Sequence, residues 1–336
     1  MLYIIFLGGV SSYSLPPYNY YIVNFITFTL FFIFIFNKKK VRLTNISFFK
    51  YGWCFGFGYF LCSLYWIIIS LTFDQNFYFL IPFAVILIPS FLALFYGLVT
   101  YLFSIFYSKK IINSILIFSL FFGLIEFIRG SILTGFPWNL ISFSFSNSIY
   151  FIQIISVIGT YSFNLICITL FTLPAVFVLK KSKKNIVFVS GFILVTVSFV
   201  IFGIYQIKEF NVFRIIQSYR SRGHLLSDTN PIRPRKDRSA FLNLSDYDLD
   251  DSDLTKTFWC GKLLGLGENA TLENILVHMR RIYCYKIGIE YYNSMNTEIR
   301  RWTRNKFETE AHTIDLPMEK KKRILRKLNE VFQSQS

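Results

Sequence analysis

Between Met1 and Ile207 the chain has almost no acid: two carboxylates, Asp74 and Glu126, stand against 12 Lys and Arg. A soluble domain of that length without acids would be unusual, so the greasy part is not an ordinary globular surface. Cysteine is sparse as well. The five are Cys54, Cys62, Cys167, Cys260 and Cys284, and none forms a CxxC pair, which removes support for a zinc or dithiol redox motif. Three of them sit in apolar runs, where Cys behaves as a small hydrophobe. With three His in all and no HExxH-like spacing, no metal is implied. The opening Met1-Leu-Tyr-Ile-Ile-Phe-Leu has no positively charged lead-in of the kind a cleaved signal carries, and reads as a retained membrane segment. There is no internal repeat.

What is abundant is apolar and aromatic. The 336 residues are 54% hydrophobic and 20% aromatic, with 41 Phe. The mean hydropathy of +0.47 averages two unlike parts. From Lys208 to Ser336 there are 23 Lys and Arg against 17 acids, a different composition from what precedes. Most of the net charge of +16 flanks apolar runs, so the basic balance reports membrane topology rather than nucleic-acid binding. The expected fold is an all-α polytopic membrane bundle of about seven transmembrane helices, followed by a small, mainly helical soluble segment. Domain boundaries are placed at 1–210, a junction at 211–218 and a helical segment at 219–336.

Apolar runs near the length needed to cross a bilayer recur at Met1–Leu15, Tyr20–Phe36, Phe48–Leu71, Phe77–Tyr107, Ile111–Ile128, Ile149–Leu179 and Asn185–Ile207. The fourth is too long for one straight span, and the sixth contains an interfacial lead-in before a spanning helix near Ser162–Leu179. Eleven cations, including Lys38, Lys39, Lys40, Arg42, Lys109, Lys110 and Lys180, fall in alternate loops on one side, against Arg129 alone on the other. That asymmetry puts the N-terminus in the cytoplasm and the segment after the last span outside. Pro16-Pro17 makes an external turn. Gly52, Gly56 and Gly58 suit close helix packing more than a ligand site.

Glu126 and Arg129 are three residues apart at the outer end of the fifth span, on one helix face. A charge at the bilayer centre costs about 2.5–3.5 kcal/mol on insertion scales, and an interfacial pair costs less. The Gly135-Phe136-Pro137-Trp138 turn follows, with Trp suited to the headgroup level. Two readings stand at this point: an anchored turn with a structural ion pair, or a lipid-facing site built from Glu126, Arg129 and Trp138.

The stretch Glu126-Phe-Ile-Arg-Gly, continuing to Leu133-Thr-Gly-Phe-Pro-Trp-Asn-Leu140, resembles the hallmark of the bacterial apolipoprotein N-acyltransferases. Pro16-Pro17, Phe55-Gly-Phe-Gly-Tyr59 with Leu64-Tyr-Trp-Ile67, and Gln153 through Ile158-Gly-Thr-Tyr-Ser-Phe163 match in the same order. The resemblance implies transfer of an acyl chain from a phospholipid to the N-terminal cysteine of a lipoprotein, at the outer face of the inner membrane. It implies seven leading spans, a nitrilase-like domain with a Glu–Lys–Cys triad, and an eighth span. That domain opens with a strand which Phe213-Arg-Ile-Ile-Gln217 fits, and the match stops at Ser218. The membrane part is therefore expected to be inactive alone, with no cofactor, and with the phospholipid bilayer, a phospholipid acyl donor and a lipoprotein as partners.

Ile216-Gln-Ser-Tyr-Arg-Ser-Arg-Gly-His-Leu-Leu226 resembles the N-terminal region of the thiamine-diphosphate-dependent first component of the 2-oxoglutarate dehydrogenase complex. Leu263-Gly-Leu, Thr271-Leu, Arg281 through Tyr291 and Arg301-Trp302 keep the order, with departures at Thr229–Ile232 and Tyr292-Asn293. No thiamine-diphosphate or Mg²⁺ motif is present. Two family fragments thus meet near Val212–Ser218, which suggests a gene fusion or an error of gene assembly. The tail offers candidates for chemistry of its own: Cys260 and Cys284 as nucleophiles or a disulfide, His224 as a base, Gly265-Leu-Gly267 as a phosphate cradle, and Lys320–Lys327 as a membrane-surface face. The bland readings (structural thiols, a structural His, a turn, a solvated helix face) are favoured. The tail's apolar periodicity predicts helices over Thr271–Tyr285, Thr297–Glu310 and Met318–Phe332, and no strand ladder.

Overall fold

The computed structural model describes the chain except residues 42, 133, 134, 136, 228–238, 286–290, 292–294, 311–315 and 334–336. Arg42, Phe136, the Thr229–Ile232 departure and much of the Arg281–Tyr291 and Tyr292-Asn293 motifs therefore lie outside the described residues. The chain divides into two compact units, Met1–Ile204 and Tyr205–Ser336.

The first unit is helical because its apolar runs leave backbone groups no partner but themselves. In order come α1 (Leu2–Ser12), α2 (Ile22–Lys40), α3 (Asn45–Ser63), α4 (Trp66–Leu71), α5 (Ile81–Phe106) and α6 (Ile111–Ser131). Then follow α7 (Ile149–Ile152), α8 (Ile155–Ile158), α9 (Thr160–Thr172), α10 (Ala175–Leu179) and the start of α11 (Lys183–Arg222). The long fourth run is resolved into a 3₁₀ turn, Gln75–Leu80, whose cap Asp74 accepts a bond from the Asn76 N–H, and α5. The sixth run does have its lead-in, α7 and α8, ended where Gly159 takes a positive φ of 78°.

Five segments among the described residues are long and apolar enough to cross a membrane: Ile22–Lys39, Gln75–Phe106, Ile111–Ser131, Thr160–Leu179 and Lys183–Leu226. The two other runs expected to span form helices, α1 and α3, that are not among these five. α1 has only 11 residues. α3 has 19, but Lys50, Tyr51, Trp53 and three glycines dilute it. Those glycines are used for close approach. A Cβ at Gly58 would stand 2.0 Å from the Ile5 carbonyl oxygen of α1, and one at Gly52 would stand 2.2 Å from the Tyr96 oxygen of α5. α3 is thus held between α1 and α5 by backbone proximity, the packing expected where lipid supplies no hydrophobic drive between helices. Around it Phe28, Phe31, Phe55, Phe118 and Phe122 are buried, with Phe31 and Phe55 stacked at 4.3 Å. The opposite face of α5 leaves Phe83, Ile86, Leu87, Phe91 and Leu94 exposed, which only an apolar surrounding would cover.

In the second unit the helix α11 runs on to Arg222. Phe213–Gln217, expected as an opening strand, is therefore helical. The reason is periodic: Val212, Ile215, Ile216 and Tyr219 fall at helical spacing and all are buried. They pack in one core with α12 (Leu272–Tyr283), whose Leu272, Ile275, Leu276, Met279 and Ile282 are the buried face the sequence predicts. The Thr271 side chain caps α12 from the Asn274 N–H at 3.3 Å. The acidic stretch Leu242–Leu254 supplies two capping boxes, Asn243 with Asp246 and Asp250 with Asp253. A short antiparallel bridge pairs β1 (Thr257–Phe258) with β2 (Ala270–Thr271), a pairing the sequence did not signal. α13 (Thr297–Glu310) and α14 (Met318–Gln333) complete the unit. Arg220 forks onto Glu308 at 2.6 and 2.7 Å, and the Tyr283 hydroxyl donates to the same carboxylate.

Candidate functional site

The last turns of α6 carry the two charges. Glu126 and Arg129, at i and i+3, form the ion pair foreseen, with Arg129 Nε donating to Glu126 Oε2 at 2.8 Å and its Nη2 contacting the same oxygen. Arg near a helix C-terminus also suits the dipole. Both side chains are inside the bundle, Glu126 at 1% and Arg129 at 2% exposure. The guanidinium lies over the Phe60 ring of α3 at 5.3 Å. The Tyr96 hydroxyl of α5 lies against the Glu126 carboxylate, and Tyr96 in turn stacks on Tyr59 at 5.8 Å. Apolar and aromatic walls on every side strengthen the pair and make either member costly to leave alone.

The charge pair holds a loop. After α6, Ile132 turns to extended backbone and Gly135 takes φ 71°, with the Gly135 N–H donating to the Ile132 carbonyl at 2.8 Å. Arg129 Nη1 then donates to the Trp138 carbonyl at 3.1 Å. The next carbonyl, of Asn139, accepts from the Tyr59 hydroxyl at 2.9 Å, while the Asn139 amide donates to the Ser63 carbonyl at 3.3 Å. Asn139 has a positive φ of 58°, a conformation that Asn tolerates better than most residues. Two successive loop carbonyls are thus fastened from two helices. Beyond them the Ser142 N–H donates to the buried Asn164 of α9 at 2.9 Å. Against Gly130 lies the Tyr161 hydroxyl, 2.0 Å from where a Cβ would be.

The three residues singled out in the sequence meet at this place, but differently. Glu126 and Arg129 face the interior. Trp138 enters the network by its carbonyl, and its indole is 58% exposed. Tyr59, Tyr96 and Asn164 were not singled out as site residues. A hydroxyl or amide inside an otherwise apolar run is the signal that marks each of them, and Glu126 Oε1, the Tyr96 hydroxyl and the Asn164 amide nitrogen stay buried without a well-formed hydrogen bond.

Elsewhere, no group of three metal-ligating side chains occurs among the described residues. All five cysteines are free thiols. Cys260 Sγ faces the Glu209 carboxylate at 3.5 Å. Burial, then the Glu209 charge and hydrogen bond, push its thiol up to about 12. Burial pushes Cys284 up to about 11. His224 is exposed in a 3₁₀ turn, Gly223–Leu226. Gly265 and Gly267 take positive φ at the end of the 3₁₀ turn Trp259–Leu264, a turn role.

Comparison with known proteins bears on the first unit. Residues 7–173 match the family model described as apolipoprotein N-acyltransferase N-terminal domain. Among curated relatives, the apolipoprotein N-acyltransferase of Rhizobium etli is 32% identical over 184 residues, 53% of this chain and 34% of that protein. That of Rhodopseudomonas palustris is 35% identical over 175 residues, 51% of this chain and 32% of its own length. That of Rickettsia prowazekii is 39% identical over 161 residues, 47% of this chain and 32% of its own length. The chain spans about a third of the length of the curated relatives it matches. Its helical membrane unit is thus similar, over residues 7–173, to the N-terminal domain of the apolipoprotein N-acyltransferases.

Proposed function

We propose that residues 1–210 are the membrane portion of a lipoprotein N-acyltransferase. The activity served is transfer of an acyl chain from a phospholipid to the N-terminal cysteine of a lipoprotein. The unit spans a bacterial inner membrane seven times, α1 and α3 included, with its N-terminus in the cytoplasm and residues after Ile207 outside. The cation asymmetry of the loops supports that orientation. The observation that carries the reading is the fastening of Trp138 and Asn139 by Arg129, Tyr59 and the Asn139 amide itself. The Trp138-Asn139 backbone held in this way, with the Trp138 indole exposed, is a platform for a phospholipid headgroup. Glu126 and Arg129 position it, and Trp138 is the side chain that meets lipid.

This chain by itself transfers no acyl group. Nitrilase-type acyl transfer runs through a thiolate. The two thiols of the second unit are held in the protonated form, with values pushed to about 12 and about 11. The assay is direct: purified chain in phospholipid vesicles, with a diacylated lipopeptide beginning in Cys, read by mass spectrometry. No mass gain of one acyl chain is expected, and a triacylated product would overturn the inactivity.

A second reading concerns the tail, a fragment of the first component of the 2-oxoglutarate dehydrogenase complex without its catalytic core, joined as a fusion. Its support is that residues of two separated motifs pack together: a Cβ at Gly223 would stand 2.6 Å from that of Tyr283. One RNA read across the codons for Val212–Ser218 tests the join.

A further inference from the structure

Beyond the acyl-transfer reading, the second unit holds a groove of about 530 Å³. That volume is within the range of small-ligand sites. One wall is a single stripe of α11. Phe210, Phe213, Arg214, Gln217, Ser218 and Arg222 recur at three- and four-residue steps, so they share a face beside the buried Val212–Tyr219 face. The other wall comes from Phe241 and the 3₁₀ turn Leu244–Tyr247.

Charge is uneven in it. Arg222 Nη2 donates to the Tyr247 hydroxyl at 2.7 Å and to Ser218 Oγ at 2.9 Å, both neutral. Arg214 lies over the Tyr247 ring at 5.6 Å and donates to the Asn211 side chain. Neither guanidinium has a carboxylate at ion-pair distance among the described residues. Among the described residues that line the groove the one carboxylate is Asp246, which accepts from the Asn243 N–H at 3.0 Å and closes a capping box. Two cations are thus presented by neutral partners in an aromatic-walled site, leaving their charge unmatched.

The wall is also strained. Phe241 has a φ of +49°, which is uncommon for any residue other than glycine and an outlier for a bulky one. Its neighbours Ala240 and Leu242 are buried, while the Phe241 ring is 58% exposed. The Tyr247 hydroxyl, which accepts from Arg222, donates to the Phe241 carbonyl at 3.1 Å. One chain of bonds therefore ties the cation to the strained aromatic. Strain that exposes an apolar ring beside unmatched charge is the kind of cost that function explains.

We propose that this groove binds a phosphate ester with an apolar portion, its phosphate on Arg214 and Arg222 and its apolar portion on Phe210, Phe213 and Phe241. The ester could come from a phospholipid headgroup or from a soluble phosphate ester, and the recognition chemistry is shared. Calorimetry on the full chain in maltoside micelles, with dihexanoyl-phosphatidylglycerol, adenosine monophosphate and inorganic phosphate as probes, tests it. At least one ester binds ten-fold or more tightly than inorganic phosphate, and the ester that does so identifies the source. Arg214→Gln weakens that ester about ten-fold. Phe241→Gly weakens it several-fold while Tm stays level or rises, because glycine adopts the positive φ freely. Partition into the micelle is common to all variants, so it does not mimic these differences. The proposal is overturned if neither ester binds better than inorganic phosphate, or if both variants bind as the parent does.

Discussion

Glu126 is one of only two acids before Lys208, and that rarity is why the pair with Arg129 was legible. What it touches was not. The partners, Phe60, Tyr96 and the Trp138 carbonyl, come from other helices and a turn, and nothing in the local spacing encodes them. Nor did the spacing reveal that both side chains are buried inside the bundle. Their burial has a testable asymmetry. Arg129→Met leaves Glu126 buried and unpaired and should cost about 3–5 kcal/mol, whereas pairing it with Glu126→Gln should recover a large share. Thermal unfolding in detergent, comparing single and double variants, checks this. In the second unit Asp253 closes a capping box with Asp250 and is also buried under Lys208, 45 residues away, and Lys256. Burial alone would raise its carboxyl, but the hydrogen bonds from both lysines outweigh that and hold it below the ordinary range. A carboxyl depressed in the fold stabilises above its unfolded value of about 3.9 and loses that contribution as pH falls through the folded value. Acid unfolding of the second unit, followed by far-UV circular dichroism from neutral pH down to about 2, should therefore be shallower in Asp253→Asn, with the parent and variant converging at the acid end.

At the scale of elements, period carried most of the information. The apolar spacing of α12 and its Thr271 cap were readable because both are local. The strand expected at Phe213–Gln217 rested on the resemblance to the family's domain opening, whereas Val212, Ile215, Ile216 and Tyr219 continue the helical period of α11. The weak third span is explained by its contacts. α3 gives up apolarity to glycine because Ile5 and Tyr96 backbone atoms occupy the space where side chains would be. Gly58→Val should accordingly separate α1 from α3, with a loss above the roughly 1–3 kcal/mol of ordinary overpacking because the clash is with backbone. A cross-linking pair placed across that interface, at Gly9 and Cys62, would report it: the Cys62 sulfur is 3.2 Å from a Cβ at Gly9. Gly9→Cys in the parent should form a disulfide with Cys62 readily, and far less in the Gly58→Val background.

The composition break near Lys208 marked two parts in advance, and the fold has two compact units, the second beginning at Tyr205. The membrane nature of the first unit was plain from its runs of Phe, Ile and Leu. Five segments among the described residues are long and apolar enough to cross a membrane, against the seven expected, and α1 and α3 are held by close contacts with other helices. The platform reading needs the whole first unit, because α3, α5, α6 and α9 all reach the one loop or its anchor. Its most direct test is headgroup photolabelling. The chain is reconstituted in vesicles containing a phospholipid with a photoreactive headgroup, irradiated, and the adducts are mapped by mass spectrometry. The account predicts adducts concentrated on the peptide that contains Trp138, reduced several-fold in Trp138→Ala and in Arg129→Met. Adducts spread evenly over the ends of the spans, or a Trp138 peptide labelled equally in parent and variants, would contradict it.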